Sequence, residues 1–199
     1  MSIYDAKKHG DVSAITADDL NAVVKLYEEY LNYGEGVRPH LDKVLRDPDT
    51  IALKHTIDGE ITGFYIYTKG IALSGGHNDL LEKLAKLSEG KRVYTGDAIV
   101  LKREYRRLSI MKTGFDAMLK ELRRKGAELL VHELWVHPNG YVPASVMSHV
   151  FNKNIFIGRY ENFYRDFRHF GFICPICGKD CLCAADIYLC EVPDAAPWN

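Results

Sequence analysis

The sequence predicts an α/β protein built on a mixed, mostly antiparallel sheet with flanking helices. Three observations predict it. The apolar runs Ile51–Ile57 and 61–68 flank Asp58-Gly59, a dipeptide suited to a tight hairpin turn, which makes these two strands antiparallel. A run over Val93–Leu101, an amphipathic helix and a second run over 128–136 form a strand–helix–strand unit, whose right-handed crossover makes its strands parallel. Strand-like and helix-like runs alternate along the chain instead of segregating.

The first helix opens at Thr16-Ala17-Asp18-Asp19, a capping box with Asp in place of Glu or Gln. Its apolar residues Leu20, Val23, Val24, Tyr27, Tyr30 and Leu31 recur at spacings of three and four, and Gly34-Glu35-Gly36 ends it. A short helix covers 40–46 and stops before Asp47-Pro48. After the hairpin, Asn78 caps a helix with Leu80, Leu81, Leu84 and Leu87 on one face, closed by Gly90. This inserted helix, at 78–89, reads as a lid or a dimer contact. The helix over 111–125 turns Phe115, Met118, Leu119 and Leu122 inward and has Gly126 just past its end. The stretch 139–170 is expected to be mostly helical in its later part, and 187–192 to be the last strand.

The 199 residues, 47% apolar, suffice for one domain with a real core. We divide the chain into a domain over 1–173 and a cysteine-rich turn with the last strand over 174–199, integrated with it. A net charge of -1 and a pI near 6.7 argue against a globally basic nucleic-acid binder. No run approaches a membrane span, and the chain does not start with a secretory apolar segment, so a cytoplasmic protein is expected.

All five cysteines lie in the last 26 residues, as Cys174-Pro175-Ile176-Cys177-Gly178, then Cys181, Cys183 and Cys190. Two thiolates two residues apart with a following Gly form a metal knuckle, and in a reducing compartment such clusters hold metal more often than they form disulfides. Cys174, Cys177, Cys181 and Cys183 are the expected ligands of a structural zinc ion. Cys190 or His169 is an alternative fourth ligand. Free thiols, a disulfide pair and an iron–sulfur cluster are the other readings.

The chemistry has to come from the middle of the chain. The link Lys102-Arg103-Glu104-Tyr105-Arg106-Arg107-Leu108-Ser109-Ile110-Met111 leads from strand to helix, and nine Lys or Arg face three acids between 102 and 125. With the element order, Glu104-Tyr105-Arg106 resembles the P-E-Y-R-G-x-G-x-G/A stretch of the GNAT superfamily of acyl-CoA-dependent N-acyltransferases. Phe170-Gly171-Phe172 resembles that family's closing L-G-F. The resemblance covers residues 11–173 and a final strand. The chain departs from the pattern in carrying Arg107, Ser109 and Met111 where the family has small residues.

The resemblance implies transfer of an acetyl or other acyl group from coenzyme A to a small-molecule or peptide amine. It places Leu101, Arg106, Arg107, Leu108, Ser109, Ile110, Met111 and Lys112 around the acyl-CoA, with backbone N–H groups at the helix start facing its pyrophosphate. Acetyl transfer needs a proton acceptor for the amine and a donor for the leaving thiolate. Asp97 and Glu133 stand inside otherwise apolar strands, where an unpaired carboxylate is costly, and are the candidate bases. Alternation puts Asp97 on one face with Ile99 and Leu101, and points His132 away from Glu133. The family's Tyr falls on Phe167, which cannot donate a proton, so Tyr164 is the candidate acid and Tyr160 a weaker one. The bland alternative for Tyr164 is a packing stripe with Phe163, Phe167 and Phe170. Against catalysis stands a second reading, a non-catalytic scaffold that binds a protein or nucleic acid through its zinc knuckle.

Overall fold

The computed structural model describes residues 10–75, 77–106, 108–143, 151 and 153–194, with the side chains of Leu108 and Ser109 excepted. The strands are β1 (Asp11–Ala14), β2 (Ile51–Ile57), β3 (Glu60–Lys69), β4 (Val93–Leu101), β5 (Leu129–Val136), β6 (Asn154–Tyr160) and β7 (Ala184–Glu191). The helices are α1 (Leu20–Tyr30), α2 (Val37–Arg46), α3 (Asn78–Leu87) and α4 (Leu108–Arg124). The seven strands form one sheet in the order β1-β2-β3-β4-β5-β7-β6, antiparallel throughout except for the parallel pair β4–β5. This is the mixed, mostly antiparallel sheet that the hairpin and the crossover predict.

Local chemistry accounts for most boundaries. Asp58 and Gly59 have φ of 51° and 80°, as a tight hairpin turn requires. The Thr16 backbone N–H donates to Asp19 Oδ2 at 2.7 Å, closing one half of the capping box. Helix α2 starts at Val37, a turn earlier than expected, because Pro39 sits in its first turn, where no intrahelical N–H bond is lost.

Two expectations are corrected. Residues 154–160, expected within a helical stretch, form strand β6, and only Arg165–Phe170 make a short 3-10 helix. Pairing with β7 outweighs the helical spacing of the aromatics, which pack as a cluster instead. In α3 only Leu80 and Leu84 are buried, while Leu81 and Leu87 face solvent. The stripe on this helix is narrower than its leucines suggest.

Helix α4 covers one face of the sheet, burying Phe115, Met118, Leu119 and Leu122 on Tyr65, Tyr67, Tyr94 and Leu130. On the other face, α1 and α2 cover Phe64, Ile66, Ala98 and Val100 of β3 and β4. Beside them α3 covers Val131, Ile157, Ala185 and Ile187 of β5, β6 and β7. The seam between these two helical groups lies over the junction of β4 and β5. Among the described residues, no helix is long and apolar enough to cross a membrane.

Helix α4 seats on the sheet through Gly114, where an added Cβ would lie 1.9 Å from the hydroxyl oxygen of buried Tyr65. Gly→Ala inside a helix ordinarily stabilises by about 1 kcal/mol. Here we expect the opposite sign, a loss of about 1–3 kcal/mol from overpacking. Thermal melting of Gly114→Ala checks this, and a raised melting temperature would refute the packing.

Candidate active site

Parallel pairing of β4 with β5 is short, running only from Val93↔Leu129 through Thr95↔Val131. Beyond it β4 continues to Leu101 and β5 to Val136 without pairing to each other, so a cleft opens between their C-terminal halves. A β-bulge sits where they part. Ile66 pairs with Ala98 and Tyr67 with Gly96, which leaves Asp97 as the extra residue. Bulges re-aim side chains, and this one corrects the alternation argument. Ile99 packs on the α4 side and Leu101 against Ile57 and Ile110, but Asp97 turns to the opposite face. There its Oδ2 lies 3.1 Å from His40 Nε2 on α2.

Glu133 follows Val131 on the same face of β5. Its Oε1 accepts a 2.8 Å hydrogen bond from the backbone N–H of Ser74, in the segment between β3 and α3. Burial pushes its carboxyl up to about 7; the Ser74 hydrogen bonds oppose the rise and the charge of Asp97 adds to it. Glu133 is also within electrostatic reach of Tyr27 on α1 and of Tyr164. Burial raises both phenols, and the nearby carboxylates raise them further. The fold thus gathers Asp97, Glu133 and Tyr164 around the seam, and adds Tyr27, His40 and Ser74. Nothing in the local sequence marked those three: Tyr27 reads as core, His40 as a helix start and Ser74 as a breaker.

Other residues stand apart. His132 faces α4, 3.2 Å from the Tyr67 hydroxyl and edge-on to Phe151. Burial lowers its pKa to about 4, so it is a neutral core histidine. Tyr164 precedes the 3-10 helix and lies on no long helix. Phe170-Gly171-Phe172 falls between β6 and β7, at the end of the short 3-10 helix. Tyr160 contacts His77.

At the far end of β4 a 3-10 turn over Arg103–Tyr105 precedes α4, which begins at Leu108, so the last residues of the expected loop form the first helical turn. The unpaired N–H groups of such a turn bind anions. Met111, the bulky residue at an expected small position, packs into the core beside Ile110 and so lies off the N-terminal face. Arg106 donates from Nε to the Leu101 carbonyl at 2.8 Å and lays its guanidinium 5.5 Å from the centre of the Tyr30 ring. Lys112 is half-buried, and Arg107 lies outside the described residues. A basic groove at the opposite end of β4 is a poor rival for an anion. Its Lys69 and Lys91 are each paired at 2.8 Å, with Asp49 and Glu128.

Beside the seam, Cys174, Cys177, Cys181 and Cys183 bring their sulfurs within 4.8 Å of one another. Two pairs measure 3.5 Å (Cys177–Cys183) and 3.9 Å (Cys174–Cys183). A tetrahedral ion with bonds of about 2.3 Å needs sulfurs about 3.8 Å apart. None of the five cysteines is in a disulfide. This spacing fits one ion and leaves no room for a cluster of irons and sulfides between them. The Ile176 and Cys177 N–H groups point at the Cys174 sulfur from 3.4 and 3.5 Å, a setting that favours a thiolate. Cys190 packs in the core under α4 and His169 is exposed, so neither alternative ligand joins the group.

No protein-family model and no curated protein matches the sequence. Solved structures do match the fold. The Escherichia coli ribosomal-protein-S18-alanine N-acetyltransferase superposes with a TM-score of 0.58 at 14% identity, over 96% of this chain and 98% of that one. The aminoglycoside 6'-N-acetyltransferase of Enterococcus faecium gives 0.60 at 11%, over 93% and 98%. Arabidopsis thaliana NAA60 in complex with acetyl-CoA gives 0.61 at 14%, over 91% and 97%. The chain has the GNAT fold of these acetyltransferases.

Proposed function

We propose that the protein is an N-acyltransferase that moves an acetyl group from coenzyme A to an amine. The carrying observation is the parted β4–β5 pair, with a carboxyl held near 7 on its wall and a helix N-terminus at its far end. The fold of acetyltransferases supports it. The pyrophosphate lies at the start of α4, and the acyl arm runs along the open edge of β4 toward Asp97.

An alkyl ammonium titrates near 10.4, so the acceptor has to give up a proton before its lone pair can attack. Glu133 takes that proton. The amine nitrogen bonds to the thioester carbonyl carbon, and backbone N–H groups near Leu101 hold the resulting oxyanion. The tetrahedral intermediate then expels the thiolate, which takes its proton from Tyr164, while the nitrogen's second proton passes through water to the tyrosinate left behind. Asp97, set by His40, attracts the acceptor's positive charge. The four cysteines hold a zinc ion that shapes the site and takes no part in the transfer.

Calorimetric titration with acetyl-CoA tests the reading. We expect a dissociation constant of roughly 1 μM–1 mM, the usual range for enzyme substrates. Arg106→Glu, which sets an anion beside the phosphates, should weaken it about tenfold or more, or about 1.4 kcal/mol. Absence of binding would move the reading to a scaffold without catalysis.

A further inference from the structure

The cysteine loop is tied into both walls of the cleft. On the side of α1 and α2, Ile173 and Tyr33 exchange two backbone hydrogen bonds, at 3.1 and 2.7 Å. The Gly36 N–H donates to the Gly171 carbonyl at 3.1 Å, and the Gly36 carbonyl accepts from His40 N–H at 3.1 Å. The backbones touch here: a Cβ on Gly36 would lie 2.0 Å from the Phe170 carbonyl oxygen. Phe172, two residues before Cys174, sets its ring 5.6 Å from the ring of His40. On the β5 side, Trp135, two residues beyond Glu133, packs against the cluster of Cys174, Cys181 and Cys183. Phe163 N–H donates to the Cys183 carbonyl at 3.0 Å, and Tyr164 packs on the thiols.

We infer that one tetrahedral soft divalent ion, held by Cys174, Cys177, Cys181 and Cys183, is a clamp for the acceptor side of the cleft. It joins the Gly36–His40 start of α2, and so the His40–Asp97 contact, to the Trp135–Glu133 strand. Among the described residues, the start of α4 is tied through Arg106 to the Leu101 carbonyl on β4 and to the Tyr30 ring on α1, outside the Gly36–His40 and Trp135–Glu133 segments that the clamp joins. Loading the ion displaces thiol protons to solvent. The ion and the clamp do not depend on the acyltransferase reading. Only the term "acceptor side" rests on it.

The test uses the full chain under reducing conditions, as purified with zinc and after chelation. We expect one ion per chain. Its removal should speed hydrogen exchange about tenfold or more at the amides of Tyr33, Gly36, Phe163 and Ile173, with buried amides of α4 unchanged. Zinc should restore protection. Acetyl-CoA affinity should stay within about threefold in both forms, as two independent sites require. Gly36→Ala keeps all four cysteines and its ion, yet should raise exchange at the same amides by pushing α2 away. Protein that binds no ion, unchanged exchange at these amides, or equal loss across α4 would each overturn the clamp. Absence of acetyl-CoA binding with the exchange pattern intact would sink the acyltransferase reading and leave the clamp standing.

Discussion

Glu133→Gln should lower kcat/KM by about 10²–10⁴-fold, the usual worth of a positioned base, and leave acetyl-CoA affinity unchanged. Glu133 is held in a partly buried seam, where burial first and the charge of Asp97 second raise its carboxyl to about 7. A base has to be ionised to accept a proton, so activity should rise with pH up to about 7 and flatten above it. Gln keeps an acceptor oxygen for the Ser74 N–H but cannot take the proton, so this limb should vanish. Asp97→Asn removes a nearby negative charge, which makes ionisation of Glu133 easier and moves the limb to lower pH. Steady-state rates across pH for the three proteins check both outcomes. A Glu133→Gln enzyme with wild-type rates would exclude it as the base.

Cys177→Ser should lower the melting temperature by about 10 °C or more. For a chain of this length, 1 kcal/mol corresponds to roughly 2–4 °C. Structural zinc in small domains contributes about 10–16 kcal/mol of binding energy at neutral pH, and losing one thiolate forfeits a large part of it. Cys177 is suited to the test because it is the one ligand of the four that is not fully buried, so Ser adds little packing strain. Scanning calorimetry with and without zinc checks it. If the variant melted like the parent and zinc raised neither melting temperature, the four sulfurs would hold no ion in solution.

Local structure is legible in the sequence. The Asp58-Gly59 turn, the inward face of α4 and the crossover from β4 to β5 all follow from spacing and turn chemistry. The cysteine cluster was legible for the same reason, since four thiols within ten residues can meet without help from the rest of the fold. Strand β6 was not legible. Its partner β7 lies across the whole cysteine loop, and aromatics at helical spacing mask an edge strand.

The site divides along the same line. By itself the sequence determined the fold class, the four-cysteine cluster and two carboxylates too costly to bury idly. Only the tertiary structure decided that these carboxylates share a seam. A single bulged residue turned Asp97 to the face of His40, 57 residues away, and the Ser74 N–H reached Glu133 across 59. A bulge shows in the pairing of two strands and not in the spacing of either one, and contacts at such separation are chosen by packing, which no local pattern encodes.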